Sequence, residues 1–487
     1  MASFKVEYQT PRPRIEIIPP PYDGSITVWL TPADPGITTD RRHIDSNNLL
    51  SYAFSEAVDD LEGSFSFSIE NEMIKPAPGK SLFDLIPLRS VVNIYEDDYE
   101  TPAFRGIIRK RHTGATMTSN GVKKSVVFSG KSIISCITEF MVPLDVRIPG
   151  VSNSTAKTKQ LQSELSENPM TIESFMKKTW EFFRRISDEV SQGSGLTNGL
   201  LLQLIDNDDF IGKDFVKVTG KETFLQYPVA TMFYNQTNNY ITDVWRNILP
   251  KPAYELFTRF DNEKKRPVII ARQAPYGDPD NGNHDWLDLK LYYIDPASLT
   301  GYDLDQSDEE VYTAFNSYVV GSPKAKEFYQ VVSDTVDPDM AVNKDKSAIY
   351  GFKLLSVSFT GFDRMQNEDA EKRKNELTDA LQKLDLRTKY WFSRLDEMYS
   401  GTITLITSFK KKGEDRSGRD LPGNPRAGCR VSFLGGQFYV EKSEHSWQYG
   451  RTPVNRLSVS RGMVYDANGK IKEEIPGIGK LYGELDG

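Results

Sequence analysis

The stretch AGCRVSFLGGQFYVEKSEHSWQYGRTPVNRLSVSRGMVY, residues 427–465, decides the fold. Cys429, Val431 and Phe433 fall on one side of an extended segment and Arg430 and Ser432 on the other, the period of two that a half-buried strand requires. Two glycines, Gly435 and Gly436, predict a tight turn after it, and Gln437 to Trp447 reads as the returning strand. From Asn455 onward, Leu457, Val459 and Met463 alternate with Arg456, Ser458 and Ser460, which makes a third strand. The pattern is a β-meander, and no catalytic arrangement is visible in it.

Upstream, Ile403, Leu405, Thr407 and Phe409 alternate as one more strand. A long helix over 368–398 precedes it, because Leu377, Leu381, Leu384, Thr388, Trp391, Leu395 and Met398 step by four and three along one stripe. Residues 410–426, KKKGEDRSGRDLPGNPR, form a charged connection longer than a strand pair needs, and loops of that length are commonly functional. We read it as a contact loop, with Lys410, Lys411, Lys412, Glu414, Asp415, Arg416 and Arg419 as candidate partner contacts. Residues 466–487, with five glycines, read as a flexible tail.

The N-terminal part mirrors this block. Pro11, Pro13, Pro19, Pro20 and Pro21 predict an extended arm without backbone hydrogen bonds over 1–21. Strand patterns follow at Ile26–Leu30, Phe65–Ile69, Val91–Tyr95, Phe104–Arg109 and Ser125–Ser129, so 22–150 reads as a barrel or sandwich of about five or six strands. Arg105, Arg109, Lys110 and Arg111 lie along one of these strands and its turn; without interleaved aromatics they suit an inter-subunit ion-pair surface better than a nucleic-acid site. Between the β-rich ends, Ile172, Phe175, Met176, Thr179, Phe182, Phe183, Ile186 and Val190 recur at helical spacing, making 151–240 a mostly helical insertion. A helix over 238–249 and paired strands at Tyr254–Phe260 and Pro267–Arg272 open a central α/β region, 241–348. The whole is an α+β, β-rich class.

Composition narrows the chemistry. At 487 residues the chain exceeds one core, and its 26 Phe and 23 Tyr supply enough bulky apolar side chains to rule out general disorder. A net charge of −8 disfavours sequence-independent binding to phosphate backbones. Cys136 and Cys429 read as small strand hydrophobes rather than a disulfide framework, and no run reaches the ~18 apolar residues of a membrane span. His43, His112, His284 and His445 are scattered, so zinc or a histidine-activated nucleophile would need a coincidence of folding. The acidic and amide residues between Asp278 and Asp288 miss the spacing of a calcium loop. No glycine-rich phosphate loop is present, and no cofactor, metal or catalytic residue is expected.

Four segments, taken in order, carry a resemblance: FRGIIRK (104–110), YELFTRFDNEKKRPVIIARQAPY (254–276), IYGFKLL (349–355) and GGQFYVEKSEHSWQYGRTPVNRLSVSRG (435–462). Together they resemble the baseplate hub proteins of contractile phage tails and phage-tail-like bacteriocins, over roughly residues 25–465. The resemblance implies two tail-tube-like β-barrels, 22–150 and 349–465, flanking the central region. It implies a homotrimer whose six barrels form a pseudo-sixfold ring, joining a threefold central spike protein to the tail tube or its initiator, with a tape-measure protein possible in the pore. It further implies assembly in a bacterial cytoplasm and a final place in the baseplate of the particle. Lys353 stands where many relatives show arginine, and no peptidoglycan-cleaving domain follows residue 465 in this sequence. The alternative from another class is a cell-wall hydrolase or carbohydrate-binding tail component, which would require paired carboxylates in one cleft.

Overall fold

The structure, a computed structural model, describes residues 13–24, 26–32, 43–46, 48–70, 81–96, 101–118, 121–139, 141–142, 172–194, 199–212, 214–219, 239–249, 251–261, 264–276, 279, 285–294, 296–320, 341–360, 370–406, 424–473 and 475. The strands of the N-terminal half are β1 (Arg14–Ile18), β2 (Thr27–Leu30), β3 (His43–Ser46), β4 (Leu49–Ala57), β5 (Ser64–Glu70), β6 (Val91–Tyr95), β7 (Phe104–Thr118), β8 (Gly121–Ser132) and β9 (Met141–Val142). The middle holds β10 (Val216–Thr219), β11 (Asn239–Tyr240), β12 (Tyr254–Asp261), β13 (Arg266–Gln273), β14 (Leu291–Tyr293), β15 (Leu299–Asp305), β16 (Ala314–Val320), β17 (Ala341–Val342) and β18 (Leu354–Thr360). The C-terminal part holds β19 (Tyr399–Ile406), β20 (Arg430–Phe433), β21 (Gly436–Gln448), β22 (Val454–Tyr465) and β23 (Ile471–Glu473).

The β-rich α+β class is the one the chain adopts, and its main sheet runs through both ends of the sequence. Hydrogen-bonded neighbours follow the path β15-β19-β22-β21-β4-β5-β8-β7-β6-β1-β2-β3, so the C-terminal strands continue directly into the N-terminal ones through β21 and β4. The meander is present as β20, β21 and β22, joined antiparallel. Its first turn sits one residue earlier than expected: Phe433 pairs with Gly436, and the two residues between them, Leu434 and Gly435, both take positive φ (51° and 88°). That geometry matches the right-handed twist of the flanking strands. Gly436 belongs to the strand, where a Cβ would stand 2.6 Å from the Ile475 side chain.

Two further expectations are corrected at the termini. The arm is a folded element from Arg14 onward: β1 lies between β2 and β6, with Ile15 and Ile17 fully buried, because RIEII offers an alternating apolar face between the prolines. The segment after 465 does not start as a free tail, since β23 pairs with β22 and Ile475 is buried. Residues 1–12 of the arm, 410–423 of the loop and 476–487 of the tail lie outside the described residues.

Helices fill the space beside the sheet. The helix Ile172–Ser194 buries Ile172, Phe175, Met176, Thr179 and Phe182, the first part of its expected stripe, and Trp180 beside them. Residues 238–249 supply the helix Ile241–Ile248, whose Val244, Trp245 and Ile248 join the same core. The long helix spans Ala370–Phe392 and ends sooner than the 368–398 expected; a 3-10 turn, Leu395–Glu397, then redirects the chain into β19. Trp391, fully buried against Trp286 (ring centroids 5.4 Å apart), fixes that end. Thr388 is tolerated in the stripe because its hydroxyl donates to the Leu384 carbonyl, 2.8 Å away, within the helix. Within 349–360, Ile349 and Tyr350 end a short helix, Lys344–Tyr350, and only Leu354–Thr360 is strand, β18, which pairs parallel with β16.

Candidate functional site

The place where the two β-rich ends of the chain meet is built from alternating residues of β4 and β21. Seven residue pairs run from Lys442↔Ala57 to Gln448↔Ser51, and they set Ser443 opposite Glu56, His445 opposite Phe54 and Trp447 opposite Tyr52. Period-two alternation turns these six side chains to one buried side. His445 stacks on Phe54 (centroids 4.5 Å, planes 12° apart) and Trp447 on Tyr52 (5.9 Å, 22°). Cross-strand ring pairs of this kind add to sheet stability beyond the apolar area they cover.

Polar groups from three other segments close on the same spot. Glu96, just past β6, places its carboxylate 3.0 Å from His445 Nδ1 and accepts from the Tyr52 hydroxyl at 3.0 Å. Ser443 Oγ lies 3.0 Å from His445 Nε2, and Asn455 of β22 lies 3.0 Å from Ser443 Oγ. Asn455 Nδ2 donates to the Pro425 carbonyl at 3.2 Å. Arg426 donates to Glu56 (3.2 Å) and to the Ala103 carbonyl (2.8 Å). Burial pushes the Glu96 carboxyl up, but His445, Arg426 and the Tyr52 hydroxyl outweigh it and leave the carboxyl below the usual range. The same balance favours charge on Arg426, where Glu56 and Glu96 overcome the cost of burial.

Ser443, His445 and Glu96 stand in the order of a hydrolytic triad, a juxtaposition that spacing did not reveal. Their surroundings do not suit nucleophilic chemistry. Ser443 and His445 are 0% and 1% exposed, and acyl transfer needs a substrate carbonyl within about 3 Å of the hydroxyl. A cavity of about 600 Å³ lies alongside, walled by Glu56, Glu96, Arg426, Arg259, Arg272 and Lys290 among others, but neither Ser443 nor His445 reaches its surface. Much of its charge is matched within the chain: Lys217 pairs with Asp261, Arg426 with Glu56, and Arg272 with Glu255. Arg272 also donates to the Gly428 carbonyl and the Tyr439 hydroxyl, which ties β13 to the start of the meander. Burial opposes its charge, yet Tyr439 and Glu255 hold its pKa above the usual guanidinium range.

The basic cluster of β7 is spread over different tasks. Arg105 is buried and donates to Asn93 (2.7 Å) and to the carbonyls of Asp209 and Phe210, anchoring the strand to the helical region. Arg109 pairs with Glu139 at 2.8 Å, and Arg111 donates to the carbonyls of Phe83 and Ile86. Lys110 is exposed. Lys410, Lys411, Lys412, Glu414, Asp415, Arg416 and Arg419 lie outside the described residues. In the acidic stretch, Asp285 pairs with Arg387 (2.8 Å), and among the described residues no group of His, Cys, Asp and Glu is arranged to hold a metal. Lys353 sits 5.6 Å from the Tyr350 ring centroid.

With this geometry in view, the chain is a strand-rich protein whose ends are locked together by a buried polar seam. No protein-family model and no curated protein sequence matches it. Among solved structures it is similar to the tail protein from Neisseria meningitidis MC58 (10% identity, covering 85% of this chain and 93% of that one, TM-score 0.42). It is similar also to the 43 kDa tail protein of prophage MuSo2 from Shewanella oneidensis (10% identity, 92% and 98%, TM-score 0.43) and to prophage tail protein gp18 from Listeria monocytogenes EGD-e (10% identity, 90% and 93%, TM-score 0.34). Likeness at this level assigns no role to any residue.

Proposed function

We propose that the chain is a structural, non-enzymatic hub of a contractile tail or tail-like particle, three copies of which form a pseudo-sixfold ring between a threefold spike and a sixfold tube. The observation that carries this reading is the β4–β21 junction, which fixes two β-rich blocks of one chain in a single sheet. A chain that supplies two of six similar units to a ring needs them held at a set angle, and seven paired residues backed by buried rings and charges meet that need. Among the described residues the path ends at β15 and β3, and strand edges of this sort favour pairing with a neighbouring copy, which a closed ring satisfies without open-ended growth. The four sequence segments that resemble hub proteins support the same reading. Spike, tube and tape-measure proteins are then the partners, and the net charge of −8 suits a pore through which a polyanion passes without sticking.

The test is the native mass of the purified chain together with electron-microscope class averages. A trimer with a central hole and six lobes is expected; a stable monomer that stays monomeric when co-expressed with a spike protein would overturn the ring. The Ser443, His445 and Glu96 geometry is the one observation that favours a hydrolase, and its test is separate. A fluorophosphonate probe is expected to leave native Ser443 unlabelled, whereas labelling there would revive the enzymatic reading.

A further inference from the structure

We infer that copies of this chain join head to tail by strand addition, the open edge of β7 in one copy pairing antiparallel with the open edge of β15 in the next. The inference rests on the ring proposed above and names the surfaces that close it. β6 covers β7 from Phe104 to Ile107, and Ile108 makes backbone hydrogen bonds with Arg89 and Ser90. After a bulge at Arg109, β7 continues from Lys110 to Thr118 paired with β8, and among the described residues its other edge faces no strand for these nine residues, roughly 30 Å. β5 leaves β8 at Ser125, so the last four pairs, Ala115↔Lys124 to Thr118↔Gly121, are a bare two-stranded ribbon. Such a ribbon is only marginally stable in water by itself. β15 is the matching case at the end of the main path. It pairs with β19, and among the described residues its outer edge is open over the seven residues Leu299–Asp305, roughly 23 Å.

Charge decides which edges meet. Between Glu100 and Glu139 the sequence holds seven Lys and Arg and no acidic residue. Four of these cations are engaged within the chain: Arg105 and Arg111 with backbone carbonyls, Arg109 with Glu139 and Lys131 with Glu62. Lys110 is exposed and has no ion-pair partner among the described residues, His112 is exposed beside it, and register sets Lys123 and Lys124 opposite Thr116 and Ala115. The β15 edge is the reverse. Asp303 and Asp305 on the strand, with Asp308, Glu309 and Glu310 just beyond it, are exposed, and among the described residues none of the five carboxylates has an ion-pair partner. Lys353 Nζ donates to the Asp308 carbonyl at 3.5 Å, and the Ser400 hydroxyl lies 3.4 Å from Asp305. Like charges facing each other across a strand pair destabilise it, so two β7 edges or two β15 edges repel, whereas β7 and β15 attract. Antiparallel addition with Lys110 opposite Asp305 sets His112 opposite Asp303. β3, at the other end of the path, carries one acid, Asp45, and no Lys or Arg, so charge does not single it out. Contact between two different edges is head to tail, the kind that closes into a ring rather than a twofold dimer.

Native mass reads the outcome. Lys110→Glu with His112→Glu makes both edges acidic, and Asp303→Lys with Asp305→Lys makes both basic; each pair of changes is expected to turn a trimer into a monomer. All four changes in one chain exchange the two signs and are expected to restore the trimer, which neither a misfolded variant nor a general loss of charge would do. A trimer that persists in both reversed chains, or a quadruple variant that stays monomeric, overturns the inference and leaves the ring standing. A wild-type chain that is monomeric even with a spike protein present removes the ring and the inference together. Should the reversed chains fail to fold, the wild-type chain answers alone. A carbodiimide applied to 15N-labelled and unlabelled chains assembled together is expected to join Lys110 to Asp303 or Asp305 in peptide pairs with one label each, and a cross-linked assembly without that mixed pair refutes the pairing.

Discussion

The β4–β21 junction and the small sheet β17-β16-β18 are both short strand pairings, yet they end in opposite states. At the junction, Phe54, Trp447 and Tyr52 are buried, and the polar atoms among them have partners. Beside the small sheet, the end of the helix Lys344–Tyr350, the connection after it and the start of β18 leave Ile349, Phe352 and Leu354 70%, 66% and 42% exposed. β16 packs on the helix Ala370–Phe392, so one region of the small sheet has a partner within the chain while its tip has none among the described residues. The difference shows that strand character says little about what a segment holds; the far-off sequence that meets it decides.

That contrast is broken most forcefully at Phe54. Phe54→Ala removes a buried ring stacked on both His445 and Phe104, and a loss of about 3–5 kcal/mol is expected in a denaturant titration. A smaller loss, of about 1–3 kcal/mol, is expected from Gly462→Ala, because a Cβ there would stand 2.1 Å from the Phe438 ring and force the bulged strand to shift. An acid titration sharpens the comparison next. The Glu96 carboxyl lies below its usual range in the folded state, so its stabilisation is present above the unfolded carboxylate pKa and is lost as pH falls through the folded one. Glu96→Gln should therefore flatten the acid limb of the stability curve, and a limb unchanged in slope would count against the pairing. Phe352→Ala, at the exposed tip, should alter monomer stability by no more than about 0.5 kcal/mol. The thiols provide the mildest check: burial pushes Cys136 and Cys429 to about 11, so iodoacetamide at about pH 8 should modify both in unfolded chain and neither in native chain.

Much of the fold could be read from local pattern. Cys429, Val431 and Phe433 do share one core, and Leu381, Leu384 and Trp391 do line the buried side of one helix. Misplacements came where local rules compete. The Gly435-Gly436 pair looked like the turn, but Gly436 is required in the strand by the crowding of Ile475. Prolines around RIEII concealed β1, whose partners β2 and β6 are set by tertiary pairing. The seam was half legible: Ser443 and His445 share a face by period two, which the sequence displays, whereas Glu96 and the β4 register come from regions whose alignment no spacing rule encodes. Arg105 was legible as a cation but not as an internal anchor, because its acceptors are backbone carbonyls at 209 and 210.

Glu96 and His445 are 349 residues apart in sequence, which has a consequence for the ribosome. At about 5–20 residues per second, the β4 edge waits on the order of 20–80 s for its partner strand to be synthesised. Throughout that interval a nascent chain displays an apolar strand with unmet hydrogen-bond donors and acceptors. Translation of this protein therefore has a vulnerable period, during which a holding chaperone or the slower pairing of another nascent copy competes for the same edge.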